Sequence, residues 1–478
     1  MFLLRDNRRL LGGPRSAIVL SLCFFTLSWL AMGEVLNLAS KAKGSFAAMN
    51  FRADATSRRV TQSAPIPISL TTTDLVYDPF HQLIYASTPD NAPSNPNSIV
   101  VIDPATGAIT NVIPTGGNPT KLALSDDGQY LYIGLKTPGS VRRFDTASQA
   151  FGPEFSLGNE GGIRVYAEDI EVAPGQPTSV AISQRVDGLH TGVAVYDNGV
   201  RRANKTGNPE NNLIEFGANS SVIYGLNTTT TENGLRKLAV DNNGVSLVHT
   251  DRNAVGEGVR DFVFHGGLIY STTGRVHNPE TRQPVGRFPL RSNYSLAIDA
   301  ASQRAYYIHT PDDSRLFVSA YDLNTYLEVA SLELLNVAGE ISGLTLCGPD
   351  TLAFRDSTKL FLIRLSDLVP VPPTPIPTPT TGADGVIKLT LPTNDLIYDP
   401  GTQKIYAGVP GSAPGFGNSI MPISPTGFPG TPTFMGSEPG KLAISSDNQY
   451  LYAGLSGAGA IRRFNLGSQT AGLQFSLG

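Results

Sequence analysis

The chain repeats part of itself. From Asp74 it reads DLVYDPFHQLIYA and from Asp395 DLIYDPGTQKIYA; from Lys121 it reads KLALSDDGQYLYIGLKTPGSVRRF and from Lys441 KLAISSDNQYLYAGLSGAGAIRRF. Both copies run on to the tetrapeptide FSLG, ending at Gly158 and Gly478. Such a repeat constrains the fold before any local pattern does. One short unit does not bury its own apolar face, so it must stack on copies of itself.

Shorter β-rich runs recur within and after the first copy. They begin near Leu75 (LVYD, LIYAS, SIVVID), Leu122 (LALS, YLYIGL, SVRRFD), Ser179 (SVAIS, GVAVYD, LIEFG), Ser221 (SVIYGL, LRKLAVD, VSLVHT), Phe262 (FVFHGGLIY, GRFPL), Ser295 (SLAID, RAYYIH, LFVSAYD) and Ile341 (ISGLTL, DTLAF, KLFLIRL). These seven units fill residues 69–368 at about 43 residues each, the length of a four-stranded antiparallel blade with its turns. Alternating and short continuous apolar runs, bounded by DG, NG, GG and DP steps, read as strands. Asp127-Gly128 is a tight-turn pair; Asn448 replaces the glycine in the second copy and also tolerates the left-handed region. No run shows helical periodicity over three turns. The expected fold is all-β: a seven-bladed β-propeller of four-stranded antiparallel blades. A string of β-sandwiches is the competing all-β reading, and the smaller internal period argues against it.

Residues 369–381 read VPVPPTPIPTPTT. Dense proline fixes φ and removes amide donors, so this is expected to be a stiff extended linker, neither strand nor core. Residues 382–478 hold about two blades of a partial second propeller. Two blades cannot close a ring, and their open edges invite pairing. A longer natural product, or pairing with something outside the chain, is therefore expected. At the other end, Arg5, Arg8, Arg9 and Arg15 precede the apolar run Ala17 to Met32, with small residues at Ala31 and Gly33. Residues 1–33 read as a signal peptide or signal anchor and 34–68 as a flexible N-terminal segment. This places the rest of the chain outside the cytoplasm: secreted, periplasmic or on the cell surface.

A net charge of -4 with 16% charged residues, and no basic stripe, excludes nucleic acid as a partner. The membrane enters only through an uncleaved N-terminal anchor. The two cysteines, Cys23 and Cys347, exclude a disulfide framework, and Cys347 reads as a buried strand-end thiol. The histidines are His81, His190, His249, His265, His277 and His309; none forms HxH or HExxH, and His265 and His309 sit beside strands. Glu160, Glu168, Asp169, Asp261 and Asp312-Asp313 read as solvated loop acids, with no local pair of the kind a glycoside hydrolase needs. Asp241 to Gly244 is a turn that lacks the later ligands of a calcium loop. No G-x-S-x-G elbow or Walker lysine appears. No residue is assigned as catalytic, cofactor-binding or metal-ligating, and no cofactor is implied.

Arg142-Arg143, Arg201-Arg202 and Arg462-Arg463 recur after strands. Inter-blade pairing is the structural reading, and an anion- or sugar-binding rim the functional one. Asn219, Asn227 and Asn293 open glycosylation triplets. The loop from Ser87 to Asn97 and the insertion from Gly158 to Gln176 are candidate contact elements.

The segment from Asn97, NSIVVIDPATGAITNVIPTGGNPTKLALSDDGQYLYIGL, resembles the YVTN-type repeat of seven-bladed propellers found in bacterial and archaeal surface and periplasmic proteins. Ile102-Asp103, Thr106-Gly107, Ile113-Pro114, Gly117, Pro119, Ala123, Ser125, Asp127-Gly128 and Tyr132 fall on matching positions; Asp126 and Gly134 depart from the pattern. The resemblance implies the propeller fold and a range of roles, from surface-layer components and adhesins to periplasmic binders and a few lyases or lactonases. With export and tandem modules, the expected function is non-enzymatic binding of an extracellular protein, glycan or wall polymer. The alternative is a secreted lyase or hydrolase with an axial His/acid site.

Overall fold

Strand alternation has the consequence expected of stacked sheets. In Leu83–Thr88, Ile84 and Ala86 pack with Leu360 and Leu362 on one side, while Tyr85 packs with Leu131, Ile133 and Phe144 on the other. Each sheet thus hides both faces against two neighbours. The computed structural model describes residues 19–20 and 65–477, apart from 208–210, 230–233, 253, 291, 312–314, 338 and 373. Nearly all of the expected signal segment and of residues 34–68 lies outside the described residues, as do Asp312 and Asp313.

Antiparallel blades of four strands succeed one another; one parallel pairing, Asn204 with Gly244, joins the third to the fourth, and the sixth carries a fifth strand. Their innermost strands are Asp74–Asp78, Pro119–Leu124, Tyr166–Val172, Leu213–Phe216, Phe262–His265, Ser292–Asp299 and Ser342–Leu346. Each contacts the next, and the last contacts the first, so the ring is closed and the chain is a β-propeller.

Three boundaries differ from the sequence reading. The last blade takes its outer strand from the start of the ring: Ile66, Pro67 and Ile68 pair with Leu362, Phe361 and Leu360. The end of the segment expected to be flexible is therefore a strand, because Leu360–Arg364 otherwise leaves an edge unpaired. The third blade starts at Tyr166 and not at Ser179, so LIEF belongs to the fourth blade and much of the 158–176 insertion is wall. The insertion's remainder includes a short hairpin, Asn159–Glu160 against Ile163–Arg164. The proline-rich stretch is partly strand: Val369 and Pro370 pair with Ser331 and Ala330 at the edge of the sixth blade.

The second module is two further four-stranded blades, beginning at Asp395–Asp399 and Pro439–Ile444. It lies on the outer edges of the fifth and sixth blades. Ser437 Oγ accepts from the Arg287 amide and donates to the Arg287 carbonyl, both at 2.9 Å, and Asn418 Nδ2 donates to the Thr325 carbonyl at 2.8 Å. Its second blade has an uncovered face: Ala443 is exposed where its counterpart Ala123 is buried.

Candidate functional site

Side chains on and beside the successive inner strands converge on the middle of the ring. They line a channel cavity of about 450 Å³ with Asp74, Lys121, Asp169, Glu171, Glu215, Arg260, Asp261 and Arg355 among its walls. In Tyr166–Val172 the alternation buries Ala167, Ile170 and Val172 between blades and leaves Asp169 and Glu171 on the channel side. The acids made this segment read as loop; on an inner strand the polar alternates face the channel.

Several of these groups tie blades together. Asp74 Oδ2 accepts from the Leu122 amide at 3.0 Å, and Asp169 Oδ2 from the Ile214 amide at 2.9 Å. Ser295 Oγ plays the same part for the Leu344 amide at 2.9 Å. Lys121 Nζ stands 3.8 Å from Asp169 Oδ1. Burial works against its ammonium, but Asp74, Asp169 and Asp261 outweigh that and hold it protonated. Arg355 donates through Nη1 to the Thr72 carbonyl at 3.0 Å, while its Nε has no hydrogen-bond partner.

The remaining acids are not matched by cation. Burial pushes Asp261 up to about 7 and Asp169 to about 6, against the pull of Lys121. Glu171 is raised well above the usual carboxylate range by burial, then by Glu215 and Asp169; Glu215 is raised by burial, then by Asp261 and Asp169. Neither glutamate has a hydrogen bond or ion pair among the described residues. At neutral pH the wall therefore presents both carboxyl donors and carboxylate acceptors. It suits an amine or a hydroxyl-rich group.

No histidine lines this channel. The axial His/acid arrangement of the alternative reading is not what the strands assemble. His309 is buried and 2.8 Å from Ser319 Oγ, whose hydroxyl donates to Glu328 Oε1 at 2.7 Å; burial lowers its pKa to about 4. His265 ends the fifth inner strand without joining the channel wall. His81 bonds Asp78, and His190 bonds Glu168 and Thr229 Oγ1. His249 and His277 flank Asp251 at 3.5 and 3.6 Å, a grouping that sequence spacing did not suggest because it joins two blades. Of the acids singled out in the sequence, Asp169 and Asp261 reach the channel, Glu168 pairs with Arg185 and Glu160 with Lys205. Glu171 and Glu215 were missed; their alternation with Ile170, Val172, Ile214 and Phe216 was the available signal. Among described residues no group of three His, Cys, Asp or Glu is arranged to hold a metal ion.

The arginine pairs do structural work. Arg143 stacks on Tyr130 and Arg463 on Tyr450, each at 4.3 Å, and Arg142 lies 3.9 Å from the Phe151 ring. Arg202 binds Asp197 at 2.8 and 2.9 Å and reaches the Asp241 carbonyl of the next blade at 2.8 Å. The loop after Thr88 exposes Asp90, Asn91, Pro93, Ser94 and Pro96 and is braced by Asn97 Oδ1, which accepts from the Asn118 amide at 2.8 Å. Asn227 is fully buried, closed to glycosylation in the folded chain, whereas Asn219 is exposed. Cys347 is a buried thiol pushed up to about 12 by burial.

No protein-family model matches the chain, and no curated protein matches it. Among solved structures, the beta-propeller domain of Cps50 (Swd1) from Myceliophteria thermophila aligns with a TM-score of 0.47 at 14% identity, covering 63% of this chain and 99% of that one. The likeness is of fold alone.

Proposed function

We propose that this protein is a non-enzymatic binding scaffold at the cell surface or outside the cell, whose propeller captures a protein, glycan or wall polymer at the channel. The observation that carries the reading is the pair Glu171 and Glu215 on the channel wall, raised in pKa and without hydrogen-bond or ion-pair partners among the described residues. Carboxyls left unmatched beside the Lys121 and Arg355 ties cost folding free energy, and a ligand amine or hydroxyl cluster would offset that cost. The basic lead and apolar run before Gly33 support export. The Ser125-x-Asp127-Gly128 turn and its neighbours support kinship with YVTN-type surface propellers.

The test is a screen of the secreted full-length chain against glycans, wall polymers and surface proteins, repeated with Glu171→Gln/Glu215→Gln. Binding that the double variant loses upholds the proposal; no binding to any class, or binding unchanged by the variant, rejects it. A second reading, a hydrolase or lyase using these acids, draws on the Asp261 carboxyl that titrates near neutrality. Turnover of a bound glycan, abolished by Asp261→Asn, would decide for it.

A further inference from the structure

Where the second module meets the sixth blade there is a cavity of about 140 Å³ that shares no lining residue with the channel. His309, Tyr321 and Glu328 line it from the propeller, and Ser412 and Pro414 from the module; proline and glycine make up the rest of the wall. The module's loop is held in place at both ends. The Gly411 amide donates to Glu438 Oε1 at 3.1 Å, and Asn418 Nδ2 donates to the Thr325 carbonyl of the sixth blade at 2.8 Å.

The hydrogen bonds behind the cavity fix the tautomer of His309. Its Nε2 lies 2.8 Å from Ser319 Oγ, and that hydroxyl gives its one proton to Glu328 Oε1 at 2.7 Å. Ser319 Oγ therefore accepts from His309, so Nε2 carries the ring proton and Nδ1 keeps a lone pair. Burial lowers the His309 pKa to about 4, so the ring holds this single proton at neutral pH. Nδ1 has no hydrogen-bond partner, in a residue only 5% exposed. A buried acceptor without a donor costs folding free energy, and a ligand that brings a donor offsets it. The second polar group on the wall is also an acceptor: burial raises the Glu328 carboxyl, against the hydrogen bonds from Ser319 and Ser331. Among the described residues no Lys or Arg lines the cavity.

We infer that this junction cavity binds a primary alkylammonium group, which donates to His309 Nδ1 and is neutralised by the Glu328 carboxylate across the same space. An ammonium carries three donors and a positive charge, whereas an alcohol offers one donor and no charge. The cavity has room for about four or five heavy atoms, taking roughly 30 Å³ for each, the share of a water molecule in the liquid. That is the size of propylammonium or of the end of a lysine side chain. The Tyr321 ring, centred 6.2 Å from the His309 ring, adds an aromatic wall that favours a cation over a neutral guest. The second module supplies Ser412 and Pro414, so ligand binding and module docking reinforce each other. The inference does not rest on the axial reading, and the channel variants above leave it untouched.

The test is heteronuclear NMR of the full-length chain, labelled with heavy nitrogen at histidine and titrated at neutral pH and constant ionic strength. The probes are propylamine hydrochloride, Nα-acetyl-lysine amide and propanol. The His309 Nδ1 resonance is identified by its loss in His309→Gln. A lone pair that gains a donor shifts its resonance, so a saturable shift is expected with an amine and none with propanol. Saturation by propylamine alone assigns the site to a small free amine; saturation by both amines assigns it to a lysine side chain of a partner protein. Glu328→Gln removes the charge but still accepts from Ser319, and Ser412→Trp fills the cavity from an exposed position on its wall; each should weaken the amine about tenfold. The inference is overturned by an Nδ1 resonance that neither amine moves at millimolar concentration, by an equal shift with propanol, or by amine affinity unchanged in both variants.

Discussion

Phe80 lies across Gly128: a Cβ built on Gly128, at φ +68°, would come within 2.3 Å of the Phe80 ring. In the second module the equivalent positions are Gly401 and Asn448, and a Cβ on Gly401 would sit 3.4 Å from that of Asn448. Bulk has moved from one loop to the other while the turn, with Asn448 at φ 54°, is unchanged. Gly128→Asn should therefore cost about 1 kcal/mol, mostly by displacing Phe80, and Phe80→Gly should cost little because that ring is 61% exposed. The double variant should be more stable than the sum of the singles implies, by about 0.5 kcal/mol or more. Urea denaturation of the four proteins reads the coupling; strict additivity would show that the two loops do not touch.

Asp74 and Asp395 make the same bond in two settings, each accepting from the amide one blade on, Leu122 or Leu442, at 3.0 Å. The lysine beside each differs in surroundings: the Lys121 side chain is 30% exposed inside the ring, and Lys441 is 91% exposed at the open face. Asp74→Ala leaves an enclosed amide unpaired and Lys121 less compensated, and should destabilise by about 2–3 kcal/mol. Asp395→Ala exposes its amide to solvent and should cost about 1 kcal/mol or less. Equal losses in chemical denaturation would contradict this account of ring enclosure.

What was legible in the sequence was the periodic part. The strand runs from Leu83, Tyr130 and Arg304 carry buried residues on both faces, and Asp127-Gly128 turns with Gly128 at positive φ, so sequence and structure agree there; the turns before Leu83 and Arg304 instead put Gln82 and Gln303 at positive φ, which no turn signal marked. Tyr166–Val172 was hidden because Asp169 and Glu171 make an inner strand look like a loop. Ile66–Ile68 was hidden because its pairing partner lies at the far end of the ring, and no local pattern encodes that closure. Asp251 with His249 and His277 was hidden for a related reason: the three come from adjacent blades and meet only after stacking.

Two buried groups give stability opposite dependences on pH. Asp261, pushed up to about 7, binds its proton in the native state at pH values where the unfolded carboxyl near 3.8 has lost it. Its contribution is full at the acid end of that window and is lost as pH rises through 7. Asp261→Asn keeps an oxygen to accept the Phe262 amide, and should stabilise the protein above pH 7 by about 1–2 kcal/mol while flattening the profile between about 4 and 7. His309, lowered to about 4 by burial, remains neutral while the unfolded imidazole, near 6.5, takes up a proton. Stability therefore drops from about pH 6.5 down to about 4, and His309→Gln should flatten that acid limb. Denaturant midpoints measured across pH for the two variants separate the windows; a profile unmoved by either substitution would mean that neither group is shifted in the folded chain.

Closure by Ile66–Ile68 makes the N-terminal strand a determinant of ring stability. Ile68 is 9% exposed and packs with Leu70, Leu360 and Leu362, whereas Ile66 is 39% exposed. Ile68→Asp buries an unpaired carboxylate in the last blade and should cost about 3 kcal/mol or more; Ile66→Asp should cost about 1 kcal/mol. The consequence is not confined to the strand, because freeing Leu360–Arg364 exposes an unpaired edge. Hydrogen exchange should then rise first in the amides of Leu360 to Arg364 and in the inner strands Ser342–Leu346 and Asp74–Asp78 that meet at the seam, before it rises in blades three to five. Faster exchange spread evenly over all seven blades would mean that the strand stabilises the ring only as a whole and that the seam has no separate opening.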